Sequence, residues 1–468
     1  MTDIRARRRG GLQAGFFGAV VTLTDLLPPR LRYGYVHRAT RAVFRRPLPS
    51  LPGVLARSVP DPGPSASAPE PTVTCALLTD HLDVGGIGSV VEMLASGLPA
   101  AGVRPVVICR GDGERARRLR SRGVETIAAD TQGEAEAAIA RVKPAVLQLH
   151  NVAPAYLEDA ALASGLPLVT VMHNTEIHFP RARWASFAAV IEHSVAGIAV
   201  SETVREFHAR HLPAGLADRM VVVGNAAPEA RLTDAGERRA ARAALGRVVG
   251  VPLDDQVVFA CLARYDSQKN IAGMVWAFLQ ATTAAGADLH LVVAGDPSDR
   301  AELLRADGLR LSHPNGDRVH LLGNSDPATL LAAADAFILD SFFEGWPVAA
   351  TEGAAAGLPL LLSDVGGARE LVAADPGRSI LVGNPAGSAE AISDAAVCRA
   401  RRRPRHQANT AEVAAAINRI SALVRRERSS GQVVRRSPPG LATMVGAHAE
   451  VLLDAARGRT GNTGSGSA

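Results

Sequence analysis

Short runs of apolar residues recur along this chain at strand length, and Ala-rich stretches of helical length separate several of them. From residue 72 the runs are 72–79 (TVTCALLT), 104–109 (RPVVIC), 145–149 (AVLQL), 167–172 (PLVTVM) and 197–200 (GIAV). A charged helical stretch follows at 230–248, and the pattern then restarts with 256–263, 288–294, 318–322, 334–340, 358–362 and 379–382. Apolar strands set between helices predict parallel sheets buried on both faces. Two such series predict an α/β chain of two doubly wound, Rossmann-like domains facing a central cleft, with ligands at the carboxyl ends of the strands.

The same pattern places boundaries. The first domain is read as 72–228 and the second as 229–395. Residues 47–71 are rich in Pro, Ser and Ala and read as a linker. Residues 396–440 read as an Arg-rich insertion, 441–456 as a last helix that can return to the first domain, and 457–468 as a tail too polar to order itself.

Charge changes the picture at the ends. The net charge is +5, but residues 1–46 carry +8 and residues 398–437 carry +9, which leaves the remainder at −12. An acidic body with two basic segments suits an anionic membrane surface, or simply solvated arms, better than nucleic acid. No 18-residue run is apolar and free of charge, so no transmembrane helix is expected. The stretch RARRRGGLQAGFFGAVVTLTDLL at 5–27 has the start of a signal peptide. Pro28, Pro29, Arg30 and Arg32 stand where cleavage-site residues belong, so an amphipathic segment on a membrane surface fits better, with an extra packed helix as the alternative. The four cysteines, Cys75, Cys109, Cys261 and Cys398, have neither metal-site nor disulfide spacing, which suits a reducing cytoplasm.

The candidate chemistry lies just after the strands. In the first series these residues are Thr79-Asp80-His81, Gly85-Gly86, His150-Asn151, His173-Asn174 and Ser201-Glu202; in the second they are Arg264, Gly295-Asp296, Gly323-Asn324 and Asp340 through Glu344. Gly85 and Gly86 enter a helix, where exposed amides suit a phosphate or a sugar hydroxyl, though such glycines serve packing as often. Lys269 is one of only two lysines beside 49 arginines. A compact ammonium there, five residues after Arg264, suits a diphosphate; a solvated loop pair is the alternative. Glu344 and Glu352 stand eight residues apart in an otherwise apolar run, FFEGWPVAATEGAAAGLPLLL, with Pro347 at a helix start. Carboxylates in such a place can grip vicinal hydroxyls; the alternative is that Glu352 caps a neighbouring loop and Glu344 is solvated.

These residues resemble retaining glycosyltransferase family 4, which has the GT-B fold. The resemblance covers roughly 72–395. Its most specific part is the E-x7-E element from Glu344 to Glu352, followed by GLPLLLSDVGGARE; supporting parts are the glycine pair at 85–86, HN at 173–174, Asn225 and AR…KN at 263–270. The resemblance implies a hexosyltransferase-type enzyme that needs no metal or other cofactor and takes a nucleotide diphosphate sugar as donor. It also implies roles: Glu352 on the donor ribose, Glu344 on the transferred sugar, and Arg264 and Lys269 on the diphosphate. Gly85 and Gly86 would sit near the phosphates or acceptor, Gly366 and Gly367 near the donor phosphate with Glu370 behind them, and His173 beside the transferred sugar. A His173 bonded to a backbone carbonyl is the alternative. The acceptor would be a saccharide or a lipid-linked one, reached at the inner membrane face. Ala263 replaces the usual Gly, Gly353 a common Ala, and Gly295-Asp296-Pro297 the usual glycine-rich turn. A GT-B phosphorylase or epimerase, or a non-catalytic sugar-binding scaffold, are the competing readings.

Overall fold

The computed structural model describes residues 51–54, 72–82, 85–151, 154–227, 234–285, 288–389, 392–430 and 440–458. The basic segment 1–46, most of the linker 47–71 and the tail from 459 lie outside the described residues.

The first domain is a parallel sheet of seven strands: β1 (Val73–Thr79), β2 (Val103–Cys109), β3 (Thr126–Ala128), β4 (Val146–His150), β5 (Leu168–Met172), β6 (Ser194–Ala199) and β7 (Met220–Val222), in the order β3-β2-β1-β4-β5-β6-β7. The second domain has six: β8 (Val257–Leu262), β9 (Leu289–Ala294), β10 (Val319–Leu322), β11 (Ala336–Leu339), β12 (Leu360–Ser363) and β13 (Ile380–Val382), in the order β10-β9-β8-β11-β12-β13. This is the predicted fold class. The central strands are buried on both faces, as their unbroken apolar runs require. The three-residue edge strands β3 and β7 lie outside the apolar runs read from the sequence.

Fifteen helices cover the sheets among the described residues. In the first domain they are α1 (Gly86–Gly97), α2 (Glu114–Ser121), α3 (Gln132–Val142), α4 (Ala155–Ala163), α5 (Arg181–His193) and α6 (Glu202–Ala209). The second has α7 (Ala235–Val249), α8 (Ile271–Ala285), α9 (Arg300–Leu311), α10 (Pro327–Ala333), α11 (Val348–Ala355), α12 (Ala368–Ala373), α13 (Asp394–Arg401) and α14 (Thr410–Ser430). Last comes α15 (Leu441–Ala456). Helix α15 packs against the first domain: Met444, Val445, Ala449 and Leu452 are buried there. Gln148 lies opposite Leu77 in the middle of that sheet, and its amide nitrogen lies 2.9 Å from Nδ1 of His448 on α15.

In each sheet the strand order reverses once, between β1 and β4 and between β8 and β11. Crossovers leave in opposite directions at these points and open a crevice above the strand ends. The segments after β1, β5, β8 and β11 are delivered to one cleft.

Two segments depart from the sequence reading. Residues 398–430 form α13 and α14 and pack into the second domain rather than extending as an insertion. Three of their arginines pair with acids of that domain, Arg401 with Glu302, Arg425 with Asp288 and Arg428 with Asp335, while Arg399, Arg403, Arg419 and Arg426 are exposed. Residues 51–54, read as linker, dock on the second domain, with Val54 buried in its core. Asp335, at the start of β11, is the charge that ties the second domain together. Its buried carboxylate accepts bonds from Arg238, Arg242 and Arg428 and from the Val258 amide. Asp335→Ala would strand the buried Arg242 guanidinium without a counter-charge. The expected cost is about 3–5 kcal/mol, read as a lower midpoint in urea unfolding; an unchanged midpoint would contradict this account.

Candidate active site in the interdomain cleft

A cavity of about 890 Å³ lies where the two sets of strand ends face one another. The first domain lines it with Thr79-Asp80-His81, Gly85-Gly86 and His173, and the second with Arg264, Lys269, Asp296, Asn324 and Glu344. Six of the sequence-predicted site residues therefore share one space. At Gly85 an added Cβ would meet nothing within 4 Å, and at Gly86 only Val348 at ordinary contact distance. What the missing side chains leave open is cavity.

The turn after β8 is built to present Lys269. Tyr265 anchors it by donating its hydroxyl to the Val293 and Leu322 carbonyls. Asp266 accepts the Gln268 and Lys269 amides, closing an Asx turn. Asn270 then adopts φ +48, in the left-handed region that Asn tolerates. Its side chain donates to Asp340 and exchanges bonds with Gln407. Asn409 also donates to Asp340, whose carboxyl is pushed up to about 8 by burial against the pull of those two amides. This polar floor fixes the turn from beneath.

Lys269 and Glu344 face each other across the second switch point. The ammonium lies 2.5 Å from Oε1 of Glu344, and that carboxylate also accepts from Ser341 at 2.7 Å and Gln268 at 3.2 Å. Glu344 is only 5% exposed, so a buried carboxylate is held with its partners in place. Arg264 is half-exposed at the rim and pairs with Asp266 at 3.0 Å.

His173 has a specific partner that is a second histidine, not a backbone carbonyl. Its Nε2 lies 2.6 Å from Nδ1 of His150, and the rings are nearly parallel. Burial, then His448, lowers the His173 imidazole to about 3, and burial takes His150 well below its ordinary value. Both are neutral at pH 7, so one proton is shared. The other nitrogen of His150, Nε2, is buried without a hydrogen-bond partner among the described residues. A proton there would be an orphaned donor, so the pair is better satisfied with Nδ1 of His150 donating to Nε2 of His173. His173 then carries its own proton on Nδ1, the nitrogen left for the cavity.

The remaining predicted residues are placed differently. Glu352 sits on α11 outside the cavity lining. Burial pushes its carboxyl up to about 7, while Arg115 of the first domain pulls it down. Gly366 and Gly367 do not line the cavity either. A Cβ on Gly366 would fall 2.4 Å from the Gly345 carbonyl oxygen, and one on Gly367 would fall 2.1 Å from the Trp346 ring. Gly366 also has φ +49. These glycines let one loop back directly onto the Glu344–Trp346 loop, a supporting role that their close approach requires. Glu370 accepts the Glu202 amide at 3.0 Å, capping α6 of the first domain from the second.

Several contributors gave no local signal. Gln407 and Asn409 reach the Lys269 turn from over 130 residues away in sequence. Gln268 and Ser341 are ordinary polar residues until the fold aims them at Glu344. Trp346 could have been suspected as the one large aromatic between the two glutamates; it packs on Gly224 and Gly367 and donates to Thr351. Among the described residues no three His, Cys, Asp or Glu side chains converge as a metal site, and no helix is long and apolar enough to cross a membrane.

Two parallel domains with a cation, a buried acid and a glycine-edged helix start facing one cleft have the GT-B architecture. The family models for glycosyl transferases group 1 and for Glycosyltransferase Family 4 match residues 248–412 and 84–231 respectively. The chain belongs to retaining glycosyltransferase family 4. The D-inositol 3-phosphate glycosyltransferases of Mycobacterium tuberculosis and Mycobacterium bovis are 37% identical over 138 residues, 28% of this chain. That match spans only 26% of those proteins' length. Among solved structures, Anabaena HepE in complex with UDP-glucose superposes with a TM-score of 0.61 at 16% identity, covering 83% of this chain and 97% of HepE. A glycosyltransferase from Rickettsia africae gives 0.59 at 17%, covering 82% and 98%. At these identities the likeness is one of fold.

The position of Glu352 yields a pH test. Its folded carboxyl holds a proton below about pH 7, and hydroxyl donors favour the ionised form, so a diol-bearing ligand that reached it would drive the proton off. Nucleotide affinity should then rise from about pH 5 to 7 and level above. Calorimetry in buffers of different ionisation enthalpy should show proton release on binding that Glu352→Gln abolishes. Equal proton release in both proteins would remove Glu352 from the ligand's reach.

Proposed function

We propose that this protein transfers a sugar, with retention of configuration, from a nucleoside diphosphate sugar to a saccharide or lipid-linked acceptor. The observation that carries this reading is the meeting of Lys269, Glu344 and Arg264 in one cavity at the second domain's switch point, opposite Gly86 and His173.

A departing nucleoside diphosphate gathers negative charge as its bond to the anomeric carbon breaks. Lys269 has three N–H donors, so it can hold diphosphate oxygens while keeping one bond to Glu344. Arg264, at the rim, is free to turn from Asp266 toward the same charge. Glu344 keeps acceptor capacity for hydroxyls of the transferred sugar, and its bonds to Ser341 and Gln268 hold it in one orientation. Its negative charge also favours the oxocarbenium-like sugar. His173, neutral and donating from Nδ1, adds a fixed donor beside that sugar. Retention uses front-face attack: the acceptor hydroxyl bonds to the anomeric carbon on the side the phosphate leaves, and its proton passes to the leaving phosphate oxygen. Fixed donors aimed at developing charge give the largest effect in such sites.

The described first-domain lining residues offer Thr79, Asp80, His81 and Glu114 and no Lys or Arg, a set suited to acceptor hydroxyls. UDP-glucose, bound by Anabaena HepE, is the first donor to try. The name of the mycobacterial relatives adds a phosphorylated cyclitol to the acceptors worth testing. The membrane part of the reading, docking at the inner face, rests on residues 1–46 and on exposed arginines of 398–437 such as Arg399, Arg403 and Arg426, since Arg401, Arg425 and Arg428 are engaged in ion pairs.

Lys269→Ala and Glu344→Ala should each lower kcat on the order of 10²–10³-fold with the fold intact by circular dichroism. Turnover of a panel of nucleotide sugars measures it. Wild-type rates in either variant would sink the proposal.

A further inference from the structure

Residues 51–54, Leu-Pro-Gly-Val, make contacts that a linker does not make. The Gly323 amide donates to the Pro52 carbonyl at 2.8 Å, and the Asp326 amide donates to the Val54 carbonyl at 2.8 Å. In return the Val54 amide donates to the Ser325 hydroxyl at 3.1 Å. Val54 is 3% exposed, and Leu51 packs partly buried against the same core. The approach is backbone to backbone: a Cβ on Gly53 would fall 2.2 Å from the Asn324 carbonyl oxygen, and one on Gly323 would fall 2.9 Å from the Leu51 carbonyl oxygen.

The segment so gripped, 323–326, joins β10 to α10 and forms one wall of the cavity. Asn324 and Ser325 line it, and Pro327 follows at the start of α10. Gly323 and Asp326 would otherwise hold exposed amides at a strand end, and such loops move easily. Ser325 is engaged on both sides, accepting from Val54 and donating to the Gly323 carbonyl at 3.1 Å. The wall sits on the second domain, beside Asp296 and on the same side of the cleft as Arg264 and Lys269. It therefore faces the donor half of the cavity.

We infer that residues 51–54 are a positioning element of the donor site: this strap clamps the 323–326 wall in the shape that receives the nucleotide. The inference rests on the glycosyltransferase reading above and adds to it a part of the chain that the matched family regions, 84–231 and 248–412, do not include. The strap also gives the chain a third connection between domains. Val54 lies on the second domain and Thr72, 18 residues later, opens the first.

Gly53→Ala tests the clamp in the full chain, because its methyl must push the Asn324 carbonyl away. Val54→Ser tests it from the buried side, and Val54→Ile is the conservative control. UDP-glucose, GDP-mannose and ADP-glucose are titrated against wild type, and the one that binds is used throughout. The first two variants should raise the KM and Kd for that donor about tenfold, while acceptor KM stays within about twofold. Val54→Ile should retain wild-type values. Hydrogen exchange at the Gly323 and Asp326 amides should be slow in wild type and faster in Val54→Ser. Donor affinity unchanged in both variants, or donor and acceptor constants weakened equally, would overturn the strap while leaving the transferase reading intact. Failure of wild type to bind any of the three donors would instead remove the transferase reading, and the strap's role with it.

Discussion

The cleft depends on one contact between backbones. A Cβ on Gly345 would lie 1.7 Å from the carbonyl oxygen of His173, so the two domains touch where neither has a side chain to spare. The Gly345 carbonyl in turn accepts the Ser201 hydroxyl of the first domain and the Gly367 amide of the second. This node fixes how far Glu344, one residue before it, stands from His173. Any side chain at 345 would wedge the domains apart. The closely packed interior offers little compensating give.

Around that node the acids of the 342–372 run divide their work. Glu344 faces the cavity and pairs with Lys269. Glu352 is buried on α11, which raises its carboxyl, and feels the charge of the first domain's Arg115. Glu370 caps α6 across the interface. A segment that looks too apolar for three carboxylates keeps them in different surroundings: Glu344 on Lys269, Glu370 on the Glu202 amide of the other domain, and Glu352 buried on its helix. The glycines between them are the means of approach, with Gly366 and Gly367 letting a second loop brace the first.

The charge pattern is redistributed in the same way. The Arg-rich stretch after residue 398 looks like an arm in one dimension. In three dimensions Arg401 is buried against Glu302, Arg428 joins Asp335, and Gln407 and Asn409 reach under the Lys269 turn. The long helix α14 thereby ties the outer face of the second domain to the floor of its active site.

Hydrophobic runs of strand length, their separation by helical stretches and the restart after 248 were enough to determine two doubly wound domains. Residue type and place after a strand were enough to bring Arg264, Lys269, Glu344, Gly85, Gly86 and His173 to one cleft, because a doubly wound sheet sends every strand's carboxyl end to the same side. The tertiary structure alone decided which groups touch. That His173 bonds His150, that Gly366 and Gly367 support a loop, and that Glu352 lies outside the cavity lining are matters of distance and direction, which spacing along a chain does not encode. The strap at 51–54 is the clearest case: its composition is that of a linker, and only its fit against the 323–326 backbone, more than 250 residues away, makes it part of the site.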